Sequence, residues 1–197
     1  MTVNKARDSA MGMIHKHRLI GPSVWKGPDF AGDKSWIRPL NARQCEELLG
    51  AVAAVQNAGK RFPDFGVIDF PLAELGWQLR EWGNELESGR GFILLRGLPI
   101  DALDDDAIDI LYFGLGLHMG VPVRQNPAGD LIGRVMNVGD LEDRQTRVYE
   151  TNAYLPYHTD PSDMVGLLCI RAAKSGGVSS LISSGSLYNE MLLRYPE

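Results

Sequence analysis

From Met164 onward the chain alternates short apolar runs with a glycine turn, and this alternation restricts its second half to a core built of strands. Met164-Val165-Gly166-Leu167-Leu168-Cys169-Ile170 is short, apolar and branched enough for a buried strand. Lys174-Ser175-Gly176-Gly177 reads as a tight turn, and Val178-Ser179-Ser180-Leu181-Ile182-Ser183 as a second strand. The segment from Ser186 to Tyr195 then shows an apolar face at helical spacing, with Ser186 as its candidate N-cap.

The first half carries a different pattern. Residues 1–39 hold turn pairs (Gly21-Pro22, Gly27-Pro28, Gly32-Asp33) and isolated tryptophans, which predicts an arm packed on the surface. Asn41 with Gln44 three residues on is a capping-box signature, and Cys45, Leu48, Leu49, Val52 and Val55 recur at helical spacing up to Gly59. A second helix is expected from about Pro71 to Ser88, with Leu72, Leu75, Leu79, Trp82 and Leu86 as its stripe and Gly89 as its C-cap. The stripe covers little more than two heptads, so it predicts packing against a sheet rather than a coiled coil. A strand follows at Phe92–Leu95. Asp104-Asp105-Asp106 then opens a third helix through Ile108, Leu111, Tyr112 and Leu115. Acidic residues there favour the helix dipole and need no metal.

Just before the strand-rich half stands Tyr157-His158-Thr159-Asp160-Pro161. In extended backbone, residues i and i+2 share a face a little under ~7 Å apart, so His158 and Asp160 are able to converge on one metal while Thr159 turns away. One imidazole and one carboxylate are two thirds of the facial triad that leaves open positions on non-haem Fe(II). The plainer alternative is an Asp-Pro surface turn with a neighbouring His.

Taken in order, His158-Thr159-Asp160, Gly166-Leu167-Leu168, Gly176-Gly177 with Ser179, and the Asn189-Glu190 helix resemble the taurine dioxygenase-type Fe(II)/2-oxoglutarate-dependent oxygenases. Gly91-Phe92-Ile93-Leu94-Leu95-Arg96-Gly97-Leu98-Pro99 is similar to that family's first core strand, and Gly116 through Pro122 to its passage from loop to strand. The likeness spans roughly residues 90 to 197.

The resemblance implies an α+β chain with a double-stranded β-helix (jelly-roll) core and flanking N-terminal helices. With the turn-rich residues 1–39 read as an arm, the expected oxygenase domain is 40–197, truncated before its C-terminal strands. His158 and Asp160 match the first two iron ligands. Ser179 matches a hydroxyl residue that bonds the 2-oxoglutarate carboxylate, with Ser180, Ser183 and Ser184 close by and a half-exposed strand edge as the plain alternative. Gln125, Asn126, Asn152 and Tyr154, together with Arg124, fall where substrate-side residues are expected, although Gln125-Asn126-Pro127 and Gly129-Asp130 also make ordinary turn chemistry. The implied reaction consumes Fe(II)-bound 2-oxoglutarate and O2, releases succinate and CO2, and oxidises, commonly by hydroxylation, a small-molecule C–H bond.

The chain departs from the family pattern in one respect. The family's third ligand, a second His, and the Arg that pairs with 2-oxoglutarate both lie well downstream, whereas this sequence has no His after His158 and ends at Glu197. The expectation is therefore a barrel incomplete in this chain, truncated before its C-terminal strands. The competing expectation is a truncated non-catalytic relative that binds a ligand or partner. His118 is conceivable as a substitute ligand, but reads first as a helix-end residue. A zinc hydrolase would require more clustered His than the sequence shows.

Charge and composition narrow the partners. The net charge of −5 without a basic stripe excludes a phosphate-reading nucleic-acid binder; His15-Lys16-His17-Arg18 is too short for a groove and reads as solvated. Cys45 and Cys169 make no disulfide framework and read as core thiols. No stretch is long enough to span a membrane, and the start lacks a leader-like apolar region, so the expectation is a cytoplasmic protein acting on a small molecule, with a homo-oligomer left open.

Overall fold

The structure, a computed structural model, describes residues 15–136 and 154–196. Its centre is a layer of three helices, α1 (Ala42–Asn57), α2 (Leu75–Ser88) and α3 (Asp105–Met119). A fourth, α4 (Ser184–Arg194), lies near the C-terminal end. Two short strands, β1 (Ile37–Pro39) and β2 (Leu94–Arg96), pair in parallel, with Ile37 opposite Leu94 and Pro39 opposite Arg96.

α1 begins where the capping box places it. Asn41 Oδ1 accepts from Gln44 N–H at 2.9 Å, and Gln44 Oε1 accepts from Asn41 N–H at 2.8 Å. Such reciprocal bonds satisfy two of the donors that a helix N-terminus leaves open. Gln44 also reaches α2, donating to Gln78 Oε1 at 2.7 Å. Leu48, Val52 and Val55 are buried, as their spacing predicts.

The second helix begins at Leu75 rather than at Pro71. Glu47 of α1 explains the offset: its two carboxylate oxygens accept from the backbone N–H groups of Glu74 (2.8 Å) and Leu75 (3.0 Å). A side chain 27 residues upstream thus caps α2 across the helix interface. Leu75 and Leu79 are fully buried, but against helices rather than a sheet: α2 and α1 both pack on α3.

α3 opens on Asp104, whose Oδ1 accepts from Ala107 N–H at 2.9 Å, so the acidic triplet is a helix start. Ala107, Ile110, Leu111, Phe113 and Leu115 join Leu48, Val52, Val55, Phe65 and Phe70 in one core. Gly114 admits the Phe70 ring; a Cβ there would sit 2.5 Å from it.

The second half departs from expectation. Neither Met164–Ile170 nor Val178–Ser183 forms a strand, and among the described residues the only sheet is the β1–β2 pair, so no double-stranded β-helix is seen. The physical reason is pairing: a strand is defined by its ladder, and these segments have no ladder partner among the described residues. Their apolar side chains stay in solvent, Leu167 at 77% and Val178 at 88% exposure, and Cys169 is an exposed thiol rather than a core one. Ser183, not Ser186, caps α4, its Oγ accepting from Ser186 N–H at 2.9 Å. The first core strand lies at Leu94–Arg96, shifted from Phe92–Leu95, and Gly116 belongs to α3 rather than to a loop.

The arm contributes more than surface cover. Its end supplies β1, and Trp25 packs edge-on to Phe30 and Phe92 at 5.4 and 5.1 Å. Trp25 Nε1 donates to Arg90 O at 2.8 Å. Arg90 in turn bonds Glu85 at 2.6 Å and Ser35 at 3.0 Å. On the other side the arm meets α4: Ser183 Oγ donates to Ser23 O at 2.5 Å and Ser186 Oγ to Trp25 O at 2.7 Å. The arm therefore bridges the helical layer and α4.

Candidate metal centre

His158 and Asp160 follow a bend at Tyr157 on irregular backbone, outside the one sheet of the described residues. The two side chains converge nonetheless, with His158 Nε2 3.9 Å from Asp160 Oδ1. The other ring nitrogen, Nδ1, lies 2.9 Å from Pro156 O. A carbonyl only accepts, so Nδ1 carries the proton in this contact and the neutral ring keeps its lone pair on Nε2, facing the carboxylate. Metal-bound histidines commonly have their second nitrogen fixed in this way. Both side chains are about half exposed, 48% and 51%, leaving the space around them open.

A nitrogen and a carboxylate oxygen suit a divalent transition metal, and they fit two of the three positions of a His/carboxylate triad. Among the described residues no group of three His, Cys, Asp or Glu comes together, so no third donor joins them there. His118 does not serve: it ends α3 and its Nε2 lies 2.9 Å from Phe70 O, which ties the helix to the loop before α2. It also lines a cavity of about 330 Å³ between α2 and the end of α3, with Arg80, Asn84, Glu87, Met119 and Met164.

The other expected site residues are not joined to this pair by any hydrogen bond or ion pair among the described residues. Ser179 is exposed on the segment leading to α4. Gln125 and Asn126 build their own turn. Asn126 Oδ1 accepts from Gly129 N–H (3.1 Å) and Asp130 N–H (3.2 Å), its Nδ2 donates to Asp130 Oδ2 (2.7 Å), and Gln125 Nε2 donates to Val123 O (3.0 Å). Tyr154 is 81% exposed. Asn152 lies outside the described residues.

Two contacts escaped sequence reasoning. One is the Tyr112 hydroxyl, which donates to Gly166 O at 2.5 Å. Its signal was a Tyr on the apolar stripe of α3, since a phenol packed among apolar residues finds a polar partner for its hydroxyl. The other is the pairing of α4 with the arm, which leaves no periodic trace.

Comparison with known proteins supplies the remaining context. The family described as "Taurine catabolism dioxygenase TauD, TfdA family" matches residues 56–197. The chain is 31% identical over 186 residues to the FR-33289 synthase of Streptomyces rubellomurinus, covering 93% of this chain and 55% of that protein. It is 29% identical over 188 residues to the taurine hydroxylase-like protein SAT17 of Stachybotrys chartarum, covering 91% of this chain and 49% of the relative. The chain thus spans about half the length of the curated relatives it matches.

Proposed function

We propose, starting from the fact that the chain belongs to the taurine catabolism dioxygenase TauD, TfdA family, that it is the ligand-bearing half of an Fe(II)- and 2-oxoglutarate-dependent oxygenase acting on a small molecule. The reaction we assign is oxidation, by hydroxylation, of a substrate C–H bond, with 2-oxoglutarate and O2 consumed and succinate and CO2 released. The observation that carries this reading is the His158–Asp160 pair: Nε2 faces Oδ1 at 3.9 Å while Pro156 O holds Nδ1. When bound, the metal and its cosubstrate supply the O2-dependent redox chemistry that no side chain possesses.

The chain's own residues bind and orient. His158 and Asp160 present one neutral and one anionic donor from backbone two residues apart. Pro156 keeps the imidazole in the tautomer that directs Nε2 outward. Ser179 is assigned to the 2-oxoglutarate carboxylate, as a hydroxyl donor on the segment between the metal pair and α4. Gln125, Asn126, Asn152 and Tyr154 are assigned to the substrate side. Asn126 sets the turn that carries Gln125, and Tyr154 presents an exposed phenol four residues before His158. The unpaired thiols Cys45 and Cys169 suit a reducing compartment, and we place the protein in the cytoplasm. Among the described residues no helix is long and apolar enough to cross a membrane.

The test is an anaerobic titration with Fe(II) and 2-oxoglutarate, reading the weak visible charge-transfer absorption of the chelate. It is run on this chain, on any longer product of the same reading frame, and on His158→Ala of each. Absorption that depends on His158 supports the oxygenase reading. No absorption in either form, with His158→Ala binding Fe(II) like its parent, would reject it. A ligand- or partner-binding role would then come first; the observation favouring that second reading is the two-donor set among the described residues.

A further inference from the structure

The segment 154–182 carries the metal pair, and no ladder among the described residues holds it. Among the described residues a single hydrogen bond joins it to the helical core, from Tyr112 Oη to Gly166 O at 2.5 Å. Tyr112 sits on α3, whose neighbouring Leu111 and Phe113 are buried in the core, so its backbone is fixed to the helical layer while its partly buried ring reaches out to the segment. Burial pushes the Tyr112 phenol above its ordinary value, which keeps it a hydroxyl donor throughout the neutral range.

Gly166 is shaped for this contact. A Cβ at that position would lie 2.9 Å from Tyr112 Oη and 3.6 Å from Cζ. The backbone there has no left-handed φ, so the absence of a side chain serves close approach rather than a turn. Met164, two residues earlier, lines the α2–α3 cavity beside His118, so the chain is seated on the core at two adjacent points.

We propose that Tyr112 is a positioning residue for the His158–Asp160 pair: by holding Gly166 O it sets where the ligand-bearing segment lies on the helical core. The proposal rests on the metal-centre reading above. It adds that the pair's donor geometry depends on a phenol from α3 that acts through the backbone between Asp160 and Gly166.

The test uses the whole chain and Co(II) alone as probe, with affinity read from its visible absorption and backbone exchange followed over residues 154–170. Tyr112→Phe is expected to weaken Co(II) binding about tenfold, the lower end of outer-shell effects, and to speed exchange in that segment. Gly166→Ala, which separates the same two groups from the other side, is expected to do the same. The double variant is expected to be no weaker than the weaker single variant, because both remove one contact.

Asn41→Ala serves as a control for stability. It removes a helix cap far from the segment, so it lowers the melting temperature while keeping the parent's Co(II) affinity. If it weakens Co(II) binding as much as Tyr112→Phe does, the effect is general destabilisation and the positioning role is rejected. Parent-like Co(II) binding by both Tyr112→Phe and Gly166→Ala, with His158→Ala abolishing it, overturns the proposal and leaves the metal centre standing. Co(II) binding that is indifferent to His158 overturns the metal centre itself, and the positioning role with it.

Discussion

Asn189 holds Leu19 by both polar groups of its backbone: Oδ1 accepts from Leu19 N–H at 2.7 Å and Nδ2 donates to Leu19 O at 2.8 Å. The side chain is buried although it lies on a helix whose Leu187, Met191 and Leu193 remain exposed. α4 is therefore attached through polar groups that read the arm's backbone rather than through an apolar stripe. Tyr188 adds to this, its hydroxyl bonding His15 O. Replacing Asn189 with Leu leaves the Leu19 amide and carbonyl without these partners. The expected loss is about 1–3 kcal/mol, the usual penalty for breaking a partly buried polar pairing. Denaturant unfolding measures it, and faster exchange at the Leu19 amide locates it.

Gly114 tests the core from the opposite direction. In an exposed helix, Gly→Ala is stabilising by about 1 kcal/mol. Here the added methyl would meet the fully buried Phe70 ring at 2.5 Å, at its root rather than its far end. Overpacking of this kind costs about 1–3 kcal/mol. Gly114→Ala is expected to lower the melting temperature, whereas Gly50→Ala, with nothing within 4 Å of the new Cβ, should raise it or leave it unchanged.

The arm's fastening to the helical layer gives a pH dependence. The Arg90 side-chain bond, assisted by the Arg90 amide, holds the Glu85 carboxyl below its ordinary value of 4.5. A folded-state pKa below the unfolded one means that the unfolded chain binds more protons in this window, so stability rises with pH there and is lost as the pH is lowered. The contribution is complete above pH 4.5 and is lost as pH falls through the depressed folded value. Glu85→Gln should be less stable than the parent at neutral pH. It should also have a flatter stability profile below pH 4.5, as measured by urea unfolding across that range. An unchanged profile would show that the pair contributes nothing.

Turnover gives the fourth prediction. In the proposed reading His158 and Asp160 fill two positions of the iron's triad. Any succinate that the purified chain forms from 2-oxoglutarate, Fe(II) and O2 is therefore expected to fall to background in His158→Ala. Succinate formation that survives His158→Ala would reject His158 as an iron ligand.

What was legible in the sequence was what depends on near neighbours. The Asn41–Gln44 box, the Asp104 cap and the stripes of α1 and α3 follow from three- and four-residue spacing, and the structure places each where that spacing does. His158 and Asp160 lie 3.9 Å apart, while no sheet among the described residues supplies the extended strand from which their shared face was expected. What was not legible depends on distant partners. Glu47 moves the start of α2 to Leu75, and no pattern within residues 71–75 announces a carboxylate from another helix. Met164–Ile170 has the composition of a buried strand, yet composition does not supply the second strand that would bury it. Ser183 looked like a strand residue, but its hydroxyl both caps α4 and reaches Ser23.

The parallel sense of β1 and β2 also favours an order of events. Parallel neighbours cannot be joined by a tight hairpin, and here α1 and α2 occupy the connection. Bringing Ile37 beside Leu94 therefore closes a long loop, whose entropic cost is smaller once the intervening helices have already packed. Trp36 sits at the edge of that closure: its carbonyl accepts from Leu94 N–H at 2.9 Å and its ring lies 5.8 Å from Phe92. With Trp25, Trp77 and Trp82 replaced, its fluorescence is expected to time the arrival of the arm.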